Sequence, residues 1–160
     1  MVETPEQILG RLLIRRQLSI AVAESCTGGL LGHRITNIPG SSVYFKGGVI
    51  CYDNAVKQSL LGVPHELFER HGAVSPEVAQ AMARGVSCAL KAGIGLSITG
   101  IAGPDGATPD KPVGLAYIAI AAPGLERTRR CLENGDRWAN KAAFADAALR
   151  LALEYLEGQA

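Results

Sequence analysis

Apolar and polar positions along this chain switch between a helical and a strand period, and the switches mark out its elements. Thr4-Pro5-Glu6-Gln7 opens a helix, with Thr4 as cap, Pro5 at the first position and Gln7 completing a capping box. Ile8, Leu12 and Leu13 share one face of it, and it should end near Arg16. The apolar run 18–22 reads as a buried strand, and 30–36 as a helix broken by Pro39-Gly40. Residues 43–52 form a second strand interrupted by Gly47-Gly48, a pair that predicts a bulge or a close backbone approach. Asp53 or Asn54 caps a short helix over 55–61, and a further helical turn covers 65–70. Ser75-Pro76-Glu77 starts a helix whose apolar face is Val78, Met82, Val86 and Leu90, with Gly93 ending it.

Residues 94–99 are a third strand, followed by a glycine-rich loop over 100–106 and loop-like chain to Pro112. The continuously apolar run 113–121 predicts a strand buried on both faces and central in its sheet. Pro123-Gly124 turns the chain into 126–133, where alternating arginines predict an exposed edge strand. Asn134-Gly135-Asp136 opens a last long helix packed through alanines and leucines. Crossovers early and a hairpin late predict one domain over 1–160: a three-layer α/β/α sandwich with a mixed, mostly parallel central sheet.

Composition narrows the partners. With 16 basic and 15 acidic residues, the formal charge of +1 gives no basic face for nucleic acid. No apolar run is long enough to span a membrane, and the first residues lack a signal-peptide pattern, so the expected location is the cytoplasm. Cys26, Cys51, Cys88 and Cys131 are widely spaced and should be free thiols; they and the 3 histidines show no metal-ligand spacing, so no zinc site is expected.

Chemistry concentrates in two turns that follow strands. The first is Ala23-Glu24-Ser25-Cys26-Thr27-Gly28-Gly29, between a strand and a helix start. Ser25, or Cys26 as a rival, can be a nucleophile there, with unpaired helix N–H groups near Thr27, Gly28 and Gly29 facing a developing oxyanion. Ser25 or Thr27 can equally be no more than a helix cap. The second is the loop with Gly100, Gly103 and Gly106, neither a dinucleotide fingerprint nor a Walker loop. It can be an anion nest or a tight surface turn, and its residues do not decide between them. If the two preceding strands are neighbours, both turns share one cleft beyond the sheet. A serine needs a base, and no histidine is suitably placed. Lys57 can act if desolvated, and Tyr52 can relay a proton, although a helical lysine is ordinarily solvated and a strand-end tyrosine ordinarily packs.

The first turn resembles the signature of the CinA C-terminal domain family, the nicotinamide-nucleotide amidohydrolases. The likeness continues through Lys46-Gly47-Gly48-Val49, Tyr52, Asn54, Lys57, His71-Gly72-Ala73-Val74-Ser75, residues 99–106, Lys111-Pro112-Val113-Gly114 and Gly135-Asp136-Arg137, nearly the whole chain. It implies hydrolysis of the carboxamide of nicotinamide mononucleotide to nicotinate mononucleotide and ammonia, in pyridine-nucleotide salvage, by a homo-oligomer without cofactor. By resemblance Ser25 is the nucleophile, and Lys57 with Tyr52 activates it. Thr27, Gly28, Gly29, Thr99, Gly100, Ala102, Gly103 and Arg137 are the expected substrate-binding residues, with Arg137 and the loop 99–103 on the phosphate. Asp53, Lys141 and the loop 107–110 depart from the family pattern. The family includes longer proteins with an added N-terminal domain, whose activity is not expected here. Two other readings compete: a non-catalytic nucleotide-binding module linked to competence or DNA damage, and an amidase acting on another substrate such as free nicotinamide.

Overall fold

The computed structural model describes residues 2–158. Helix α1 (Pro5–Arg16) starts at the expected capping box: the Thr4 hydroxyl accepts the Gln7 N–H, and the Gln7 side chain accepts the Thr4 N–H. Strand β1 (Ile20–Glu24) is buried throughout and leads to α2 (Leu30–Thr36). A 3-10 turn (Ser41–Val43) precedes β2 (Phe45–Ile50), then α3 (Asn54–Leu61), α4 (His65–His71) and α5 (Pro76–Ala89). Strands β3 (Ile94–Gly100), β4 (Leu115–Ala122) and β5 (Leu125–Leu132) follow, and α6 (Arg137–Gly158) closes the described chain.

The five strands lie in the order β2-β1-β3-β4-β5. β1 pairs parallel with β2 and β3, whereas β3–β4 and β4–β5 are antiparallel. The expectation of a mostly parallel sheet is therefore corrected: two of the four pairings are parallel. The cause is the connection after β3, a loop that carries no crossover helix and returns the chain at the same edge of the sheet. β4 is interior and largely buried, but β3, not β4, occupies the middle of the sheet. β5 is at the edge, with the alternating exposure its arginines predict.

Strand alternation sorts the two faces. Ile20, Val22, Ile94, Leu96, Ile98, Ile118 and Ile120 join one cluster with Leu9 and Leu13 of α1, Leu31 of α2, and Phe144 and Leu149 of α6. The other face carries small residues, and α5 comes close to it. A Cβ on Gly95 would stand 1.9 Å from the Ala83 carbonyl oxygen, and the Ser97 hydroxyl donates to the Ala79 carbonyl at 2.6 Å. Gly47-Gly48 shows both expected features. The register slips between Ile20 and Ala21 opposite Lys46, and a Cβ on Gly48 would lie 2.7 Å from a Val22 methyl.

This topology positions the site. β1, β2 and β3 run in parallel, so the Ser25 turn, the chain leaving β2 toward α3, and the glycine loop leaving β3 all emerge at one edge. β1 is the point where the strand order turns in opposite directions, the place where open α/β sheets bind ligands. β5 runs the same way as β3 and delivers the start of α6 to that edge.

Candidate active site

Ser25 follows β1 directly. Its N–H donates to the Ile98 carbonyl at 3.1 Å, so the nucleophile candidate is tied to the central strand, and its side chain is largely buried. Glu24 holds the turn from the other side. Its carboxylate is 2% exposed and accepts the Leu31 N–H at 2.8 Å, the Gly32 N–H at 3.0 Å and the Thr27 hydroxyl at 2.7 Å. Two N–H groups of the first turn of α2 are thereby satisfied by an internal anion. Gly29 is the N-cap in a left-handed conformation with no side-chain cap, so neither Ser25 nor Thr27 caps the helix. Thr27 is buried against Glu24, and the Gly28 N–H donates to the Ser25 carbonyl. Thr27, Gly28 and Gly29 shape the turn; they do not form the cleft wall.

Lys57 reaches Ser25 from α3. Asp53 caps that helix, accepting the Ala55 N–H at 2.6 Å, which gives this departure from the family pattern a defined local role. The Lys57 side chain is 1% exposed. Its amine lies 3.2 Å from Ser25 Oγ, 3.3 Å from the Tyr52 carbonyl oxygen and 3.5 Å from Asn54 Oδ1. All three neighbours are uncharged, and burial pushes the amine below its ordinary pKa. A neutral amine in hydrogen-bonding range of a serine hydroxyl is a competent general base.

Tyr52 turns its backbone carbonyl to Lys57 and its phenol elsewhere. The phenol oxygen accepts from Arg137 Nη2 at 3.1 Å, while Arg137 Nη1 donates to the Gly103 carbonyl at 2.6 Å. Arg137 thus bridges the end of β2 to the loop after β3. Ser25, Lys57, Tyr52, Arg137, Thr99, Gly100, Ala102 and Gly103 all line one cleft of about 250 Å³. Thr99 is buried and its hydroxyl donates to the Ala73 carbonyl. Gly100 is required by packing, since a Cβ there would meet that of Ala116 at 2.6 Å. Cys26 also lines the cleft, but burial pushes its thiol up to about 12, which suppresses the thiolate that nucleophilic attack needs.

Three residues at the site escaped the sequence reading of roles. Glu24 is an acid ending an apolar strand, a placement whose only signal is that burial demands partners. Asn54 is the third neighbour of Lys57. Asn140 is buried on an apolar helix face, and its amide donates to the carbonyls of Ala102 and Gly135, fixing the loop to α6. Lys141, one turn beyond Arg137, reaches to 3.9 Å from the Cβ position of Gly28. Among the described residues no group of three or more His, Cys, Asp or Glu side chains is gathered to hold a metal ion, and no helix is long and apolar enough to cross a membrane.

The same arrangement of chain occurs in known proteins. A competence/damage inducible protein from Agrobacterium tumefaciens superposes with a TM-score of 0.88 at 34% identity, covering 98% of both chains. A CinA superfamily protein from Klebsiella pneumoniae gives 0.91 at 29% identity, covering 98% of this chain and 99% of that one. The CinA-like protein of Chlorobium limicola is 50% identical over 159 residues, which is 96% of this chain and 37% of that protein. That of Thermosynechococcus vestitus is 58% identical over 124 residues, 78% of this chain and 30% of that protein. The chain spans less than two fifths, at most 38%, of the length of the first curated relatives it matches. The family model for the CinA C-terminal domain matches residues 2–156, and with these relatives it assigns the chain to the CinA C-terminal domain family.

Proposed function

We propose that the cleft is the active site of a serine amidohydrolase that converts nicotinamide mononucleotide to nicotinate mononucleotide and ammonia, in pyridine-nucleotide salvage. The observation that carries this reading is the 3.2 Å approach of the buried Lys57 amine to Ser25 Oγ, with no carboxylate bound to that amine among the described residues. Neutral Lys57 takes the Ser25 proton as Oγ attacks the carboxamide carbon. The oxyanion develops beside the N–H of Cys26, next after the nucleophile, on a turn that Glu24 holds rigid. The Lys57 ammonium returns the proton to the leaving nitrogen, and ammonia departs from an acyl-enzyme. Water then attacks the ester, Lys57 takes its proton and gives it back to Ser25, and the nucleotide leaves as the carboxylate. Arg137 stands at the cleft rim as partner for the phosphate.

Ammonia release from nicotinamide mononucleotide, by the intact protein and by Ser25→Ala in parallel, tests this. Release by the intact protein alone is expected. Release by both moves the nucleophile away from Ser25, and release by neither overturns the substrate. The names of the relatives refer to competence and damage, and the second reading is a non-catalytic nucleotide-binding module linked to either. On that reading Ser25→Ala keeps the protein's function, whereas the amidase loses turnover.

A further inference from the structure

Among the residues lining the cleft, Asp105 is the only one with a carboxylate. It makes no ion pair or side-chain hydrogen bond among the described residues. Arg137, lining the same cleft, gives two of its donors to the Gly103 carbonyl and the Tyr52 phenol, both uncharged, and pairs with no carboxylate among the described residues. The segment that carries Asp105 is anchored immediately before it. The Ile101 N–H donates to the Leu115 carbonyl at 2.8 Å, Asn140 holds the Ala102 carbonyl at 3.1 Å, and Arg137 holds Gly103. The cleft therefore offers an exposed, unpaired carboxylate and a held cation to one ligand, beside an amine that acts when uncharged. That complements a zwitterion, with a positive group and an acidic group on the same small molecule. A carboxamide on an N-substituted pyridinium with a phosphate tail has those charges: the ring nitrogen is a permanent cation once it is alkylated. Free nicotinamide is neutral, and so is the ring of the reduced, dihydropyridine nucleotide.

Resting on the amidase reading above, we propose that Asp105 is a specificity-determining residue that pairs with the cationic ring and selects the oxidised, N-substituted pyridinium over neutral rings of similar size. One charge pair a few ångströms apart at a cleft edge is worth on the order of a tenfold preference.

The test compares oxidised and reduced nicotinamide mononucleotide, which share ribose, phosphate and carboxamide; the reduced ring has lost its charge and aromaticity and carries a CH2 at C4. Ammonia release gives kcat/KM for both, and calorimetry gives Kd for both on the Ser25→Ala protein, where nothing turns over. Because kcat/KM also carries the greater electrophilicity of the pyridinium carboxamide, its ratio is compared between the native protein and the Asp105 variants; in Kd, the intact carboxylate should favour the oxidised nucleotide about tenfold. Asp105→Asn should bring that ratio toward one, acting through KM and Kd with little change in kcat for the oxidised form, and Asp105→Glu should restore most of it. A ratio left unchanged by Asp105→Asn overturns the proposal, as does a native ratio near one. Absence of ammonia release with the binding ratio intact sinks the amidase reading and leaves the Asp105 assignment standing; absence of binding by both nucleotides overturns both.

Discussion

A buried lysine amine among uncharged oxygens is a destabilising arrangement, and its titration should expose it. Because burial lowers the Lys57 pKa, the unfolded chain binds more protons than the folded one between the lowered value and the ordinary 10.5. The penalty is complete below the folded-state pKa, and stability rises with pH through that window. Lys57→Met should abolish turnover, flatten that dependence, and leave the protein as stable as before or more so by up to about 2 kcal/mol at neutral pH, read by denaturant unfolding. In the native protein kcat/KM should climb along an acid limb whose apparent pKa lies below 10.5, as the amine sheds its proton. A profile flat from acid through neutral would remove Lys57 from the role of base. At this scale the residue types were legible and their states were not. Nothing near Lys57 in sequence says that it is buried, and the ordinary reading of a helical lysine is a solvated one.

Helix α2 illustrates how an element can be read correctly for an incomplete reason. The apolar period and the following Pro39-Gly40 locate it, and two glycines precede it as expected. Its start, however, is secured by Glu24, whose carboxylate meets N–H groups seven and eight residues ahead. A helix of seven residues has little stability of its own, so this anchor matters. Glu24→Ala should cost about 2–4 kcal/mol in chemical denaturation, because it leaves two buried N–H groups and the Thr27 hydroxyl without their acceptor. Glu24→Gln keeps the shape and part of the bonding, and should cost about 1–2 kcal/mol. Both should lower turnover in the same order, since the loosened turn carries Ser25. Native stability in both variants would show that the charge and its bonds contribute nothing. The capping box of α1 and the Ser-Pro start of α5 were visible from neighbouring residues alone; the α2 cap was hidden because its acceptor belongs to the preceding strand.

On the scale of the whole molecule, Arg34 of α2 ties together three helices. It pairs with Glu6 of α1 and with Asp146 of α6 at 2.7 Å, beside the core that these helices share with the sheet. Burial raises the Glu6 carboxyl, but its hydrogen bonds to backbone and Arg34 outweigh this and hold it below its ordinary pKa. A depressed carboxyl contributes stability above its unfolded pKa and loses it as pH falls through the folded value. Arg34→Met should therefore reduce stability at neutral pH and high salt less than at low salt, and should make stability between neutral and acid pH less steep. Thermal unfolding across pH at two ionic strengths measures both effects. An unaltered acid limb would mean that the bridge between helices does not carry the linkage.

Sequence by itself determined what depends on neighbours a few residues apart: the helix starts at Thr4 and Ser75, the broken second strand, the edge character of β5, and the serine turn as the place where chemistry gathers. Its long motifs also carried the family. Tertiary structure alone decided the rest. It set β3 in the middle of a sheet that is half antiparallel, because a loop without a helix follows β3. It brought Lys57 to Ser25 across 32 residues and Arg137 to Tyr52 across 85. It also turned Glu24 inward and left Asp105 unpaired on the cleft wall. Caps, periods and turns are local free energies written in adjacent side chains. Strand order, burial and the pairing of distant charges are settled only when the whole chain competes for the same core, and that competition places the atoms of the candidate site.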